Sequence, residues 1–143
     1  ENINGRLDIS CLEKGTYIIN IYRDSFVDIL QSSDVVLAMA GTATEQAVGL
    51  AKPVVQLPGY GPQFTPDFAE AQRRLLGPTV FCSNRRVNDH LIFLETANLI
   101  VNLFYLIKKD DQLTNECFNQ ANNRLGEKGG VKEIVQSITK YVS

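Results

Sequence analysis

The chain has 143 residues, 44% of them hydrophobic and 21% charged, a composition that excludes a disordered segment and suits one domain with its own core. Its net charge of −2 carries no basic excess, which argues against nucleic acid and anionic lipid as partners. Three scattered cysteines, Cys11, Cys82 and Cys117, form neither a metal-ligand set nor a disulfide framework, so a reducing, cytoplasmic setting is the simpler reading.

The sequence opens on ENINGRLD, without an initiator methionine, and reads as a piece of a longer protein. RLDISCLEKGTYIINIY predicts a β-hairpin around Lys14-Gly15, with Leu7, Ile9 and Cys11 alternating with polar residues and Tyr17 to Tyr22 strongly β-forming. RDSFVDILQSSD predicts a helix with Asp24 or Ser25 as its cap and Phe26, Ile29 and Leu30 at helical spacing. DVVLAMA has the composition of a strand buried on both faces of a parallel sheet. Thr42 to Ala51 reads as a helix, and KPVVQLP as a second buried strand. After the loop GYGPQF, Thr65-Pro66-Asp67 supplies a cap, a first-position proline and a first-turn acid, and Gly77-Pro78 stops that helix.

TVFC is a short strand, and a long helix is expected from about Asn88. Its greasy stretch HLIFLETANLIVNLFYLI is interrupted by Glu95, Asn98 and Asn102 on one helical face. That predicts a buried amphipathic helix rather than a span, which needs about 18 unbroken apolar residues. So wide an apolar face needs cover, leaving docking on a membrane surface or on a missing domain open. Another helix over DQLTNECFNQANNRL puts Leu113, Cys117, Phe118, Ala121 and Leu125 on one face. Gly126, Gly129 and Gly130 break it, and a last helix carries Val131, Ile134, Val135, Ile138 and Val142. Strands alternating with helices argue for an α/β fold with a largely parallel sheet and an N-terminal hairpin.

The turn AGTATEQ, between strand and helix, is where open parallel sheets bind ligands. Gly41 allows close approach to the backbone, the first helical N–H groups are free, and Thr42 and Thr44 add hydroxyls; together they suit a phosphate. Thr42-Ala43-Thr44-Glu45 is equally a capping box, with Thr42 as cap and Glu45 reaching back. From spacing alone the two readings stand level. The P-loop lysine and the G-x-G-x-x-G fingerprint are both missing. No catalytic triad or metal cluster can be assembled, and His90, the single histidine, reads as structural or solvent-facing.

SDVVLAMAGTATEQAVGLAKPVVQLPGYGPQFTPDFAEAQRRLLG resembles the lipid-A-disaccharide-synthase-related proteins of cyanobacteria and plastids, most densely over residues 33–82. Through them it is similar to the clan of GT-B glycosyltransferases and UDP-N-acetylglucosamine 2-epimerases. The resemblance implies a Rossmann-like C-terminal half of a GT-B fold over 1–143, a single domain lacking its N-terminal partner domain. It also implies a nucleotide-sugar donor such as a UDP-sugar, no cofactor or metal, and a cytoplasmic or membrane-peripheral location. Gly41, Thr42 and Thr44 would hold the diphosphate. The ribose acid of the relatives falls seven residues before the strand proline, which is Gln46 here, with the acid Glu45 one position earlier. Gly59, Gly61, Gln63 and Gln72 would border the sugar, while Arg73 and Arg74 read as solvated. The catalytic base is unknown, since such transferases usually supply it from the other domain. A 2-epimerase and a degenerate, non-catalytic binding module are the rival readings.

Overall fold

The computed structural model describes residues 9–39, 41–57, 59–62, 65–83, 90–126 and 129–142. The chain divides into two compact units, Glu1–Ser33 and Asp34–Ser143.

The first unit is the expected hairpin followed by a helix. β1 (Ile9–Lys14) pairs antiparallel with β2 (Tyr17–Tyr22), Lys14 opposite Tyr17. Gly15 makes the turn at φ 62°, a value that glycine adopts without a Cβ penalty. Every residue of β2 is exposed, so the alternation in the hairpin marks no buried face. Leu7 lies outside the described residues. α1 (Phe26–Ser32) has Ser25 as its N-cap residue, without a capping hydrogen bond. Of its spaced apolar residues only Leu30 is buried.

The second unit holds a three-stranded parallel sheet in the order β3 (Val36–Ala38), β4 (Val54–Gln56), β5 (Val80–Cys82). The helices α2 (Thr42–Gly49) and α3 (Pro66–Leu76) are the two crossovers. β4 is central and wholly buried. β3 departs from the expectation of burial on both faces: Leu37 is 53% exposed, because β3 pairs only with β4 among the described strands and forms an edge. Ala47, Val48, Val54, Val55, Leu76 and Val80 are almost fully enclosed and make the core between sheet and helices.

α2 ends two residues before the expected Ala51. Ala51 sits at φ 55°, its N–H bonding Val48 O, while Lys52 N–H bonds Ala47 O. This is the Schellman closure with alanine in the position that glycine usually takes. α3 begins as predicted, Thr65 Oγ1 accepting from Phe68 N–H at 3.2 Å and Pro66 at the first position. It stops at Gly77, where φ is 103° and a Cβ would collide with the Gln120 side chain.

α4 (Ile92–Lys109) follows β5, and α5 (Gln112–Leu125) packs against α2, α3 and α4. The expected start near Asn88 falls outside the described residues. α4 is not the buried helix that its sequence suggested. Ile92, Thr96 and Leu103 face inward, whereas Phe93, Leu94, Val101, Phe104 and Tyr105 are exposed. The helix rests one edge on β4, and its apolar stripe is wider than that edge. Of its polar stripe, Glu95 turns inward to accept the Ser83 hydroxyl at 2.8 Å. On α5 Cys117 and Ala121 are buried, but Phe118 and Leu125 are not. α6 (Gly130–Val142) carries Val131, Ile134, Val135 and Ile138 on one exposed stripe. No helix among the described residues is long and apolar enough to cross a membrane.

Candidate functional site

The site is built where β3 and β4 end together. Leu57 N–H bonds Ala38 O at 3.3 Å, extending the ladder past Gln56 and setting the exit of β4 beside the exit of β3. The chain then turns through Gly41 into α2. Gly41 adopts φ 78° and ψ −153°, a region essentially closed to residues with a Cβ. Among the described residues nothing lies within 4 Å of where its Cβ would be, so it is the backbone conformation that demands glycine here.

Gly41, not Thr42, is the N-cap residue of α2, which corrects the capping-box reading. Thr42 is already helical, and no side chain caps the helix, because the chain enters α2 from a conformation only glycine reaches. Gly41 O accepts Thr44 N–H at 3.0 Å and Glu45 N–H at 3.4 Å. The N–H groups of Thr42 and Ala43 have no partner among the described residues. They stand at the positive end of the helix dipole, free to receive an anion.

The predicted site residues separate by burial. Thr42, Glu45 and Gln46 are exposed, so the neighbouring acid and amide both reach solvent from the first turns of α2. Thr44 is fully buried, and its hydroxyl has no hydrogen-bond partner among the described residues. Gly59 is half-buried and Gly61 exposed, at φ 122°, in the loop after β4; Gln63 lies outside the described residues.

Gln72 is 7% exposed and turns toward the Gly41 turn. Its Oε1 accepts Gly41 N–H at 3.3 Å and Gln56 Nε2 at 2.6 Å, and its Nε2 donates to Gly41 O at 3.5 Å. Gln56 is the residue that sequence reasoning passed over. It is wholly buried at the end of β4, and its own Oε1 lacks a partner. The signal was present: one amide closing the otherwise apolar strand KPVVQLP.

Beyond β5 a cleft of about 270 Å³ is lined by Pro66, Asp67, Glu70, Cys82 and Ser83. Burial pushes the Cys82 thiol up to about 11, with the Glu70 and Glu95 carboxylates adding to it, so this thiol is no neutral-pH nucleophile. Hydrogen bonds from Arg73 and then Arg74 hold the Glu70 carboxyl down to about 2, unsuited to proton transfer near neutrality. The arginines, expected as a solvated face, pair with Glu70, Arg74 exposed and Arg73 half-buried. A roomier groove of about 510 Å³, lined by residues such as Pro78, Leu106 and Lys109, lies at the other end of the sheet, since Pro78 precedes β5. His90 is exposed just before α4. Among the described residues no three His, Cys, Asp or Glu side chains are grouped to hold a metal ion.

No family model, curated protein or solved structure matches the chain.

Proposed function

We propose that this chain is the donor-binding half of a GT-B glycosyltransferase related to lipid-A-disaccharide synthase. Its ligand would be a nucleotide-diphosphate sugar such as UDP-N-acetylglucosamine. The observation that carries the reading is the glycine-capped entry into α2, with two amides that no described residue bonds, at the C-terminal edge of a parallel sheet. The motif resemblance over residues 33–82 supplies the choice of ligand among anions.

In this reading the diphosphate rests on the Thr42 and Ala43 amides, and the ribose lies along Glu45 and Gln46. The chemistry is electrostatic: helix amides stabilise the diphosphate as it leaves the sugar carbon. In a two-domain protein of that kind, the acceptor site and the catalytic base would come from the other domain. Because Thr44 is shut off from solvent, its hydroxyl meets a ligand only if the turn opens.

Titration calorimetry of the chain, and of its full-length parent, with UDP-N-acetylglucosamine and other nucleotide sugars tests this. Saturable binding is expected, weakened by Gly41→Ala. No heat with any nucleotide sugar for either protein overturns the proposal.

A non-catalytic binding module is the second reading, favoured by the neutral Gln46 in the ribose position and by the uncovered apolar faces of α4 and α6. Under it, Thr42→Val with Gln46→Ala leaves the parent's cellular phenotype intact.

A further inference from the structure

We infer that Gln72 is a positioning residue: its buried amide, braced by Gln56, fixes the Gly41 backbone in the orientation that presents the free amides of α2.

The need for such a brace follows from Gly41 itself. Its conformation is one that glycine alone adopts readily, and among the described residues nothing lies within 4 Å of where a Cβ would stand. A glycine without a steric wall samples both halves of the φ range. The orientation must therefore be held by hydrogen bonds. Thr44 and Glu45 hold the carbonyl from inside the helix. Gln72 alone among the described side chains bonds both the N–H and the carbonyl of Gly41, from a helix 31 residues further along the chain.

The amide orientation is set by its partners. Gln72 Oε1 faces two donors, Gly41 N–H and Gln56 Nε2. Reversing Gln72 would set donor against donor at both, and reversing Gln56 would set oxygen against oxygen. Burial makes this discrimination strong, because water is not there to satisfy a misplaced group. The side chain that sequence resemblance would lay against a sugar is instead occupied with the turn. It ties α3, which follows the β4 loop, to the entry of α2, so the two loops of the site share one buried link.

The functional part of this inference rests on the anion-binding reading above; the structural part does not. The test compares the wild-type chain with Gln72→Met, which keeps the length and removes both bonds, and Gln72→Glu, which keeps the acceptor for Gly41 N–H. Hydrogen exchange of the Gly41 amide, followed by NMR, is expected to speed up about tenfold or more in Gln72→Met and to stay slow in Gln72→Glu. UDP affinity in the same samples is expected to fall about tenfold in Gln72→Met. A folded Gln72→Met with wild-type Gly41 exchange overturns the inference, as does a Gln72→Glu chain that loses protection. If wild type binds no UDP, the ligand reading falls, and the exchange result alone decides the positioning role.

Discussion

Thr44 shows how a single atom can separate a stability role from a ligand role. A buried hydroxyl without a partner costs about 1–3 kcal/mol, because it has left water for nothing. Thr44→Val keeps the shape and the β-branching and removes the orphan. The ligand-free chain is expected to gain about 1 kcal/mol in urea denaturation. If the proposed donor site also uses this hydroxyl, UDP binding by the same variant weakens; unchanged UDP binding assigns Thr44 to the fold alone. Gln72 illustrates the opposite arrangement, an amide buried with partners on both its oxygen and its nitrogen; Gln56 stands between, its Nε2 bonded to Gln72 and its Oε1 an orphan like the Thr44 hydroxyl. Their roles could not be read from the chain. The resemblance set Gln72 on α3 at the sugar side, and only the fold brings it to a turn 31 residues away.

At the scale of elements, the sequence carried more. The cap and proline of α3, its glycine stop, the hairpin turn and the strand–helix alternation all rest on interactions within a few residues, and these were legible. What failed was anything decided by neighbours in space. β3 was as apolar as β4, yet its edge position exposes Leu37. α4 and α6 were as amphipathic as core helices, yet much of their apolar surface is open. The end of α2 was missed by two residues because Ala51 takes a left-handed conformation that its side chain does not favour. Ala51→Gly is therefore expected to stabilise the chain, by about 0.5–1 kcal/mol once the greater freedom of glycine in the unfolded state is deducted. A thermal melt of the variant that falls below wild type would contradict the closure described for α2.

Across the whole molecule, apolar residues divide into those that hold the fold and those that do not. Leu76 is 1% exposed in the core, and Leu76→Ala is expected to cost about 2–5 kcal/mol. Ile138 is 58% exposed on α6, and Ile138→Gln should change stability by less than about 0.5 kcal/mol. Chemical denaturation of the two variants side by side checks both figures. A large loss for Ile138→Gln would mean that the stripe on α6 is covered in solution.

The sequential order of β3, β4 and β5 also bears on how the sheet assembles. Parallel strands must be joined by crossovers, and distant pairings make folding slow. Here Val36 pairs with Val54 and Val54 with Val80, partners only 18 and 26 residues apart. The entropy of closing the two loops differs by about 0.3 kcal/mol, since it grows with the logarithm of length. Neither pairing has to wait for the other, and β4 belongs to both. The middle strand is shared by both closures, but the Gly41 turn needs both: closing the first crossover brings β3 and β4 together, and only the second brings Gln72 of α3 onto the Gly41 backbone.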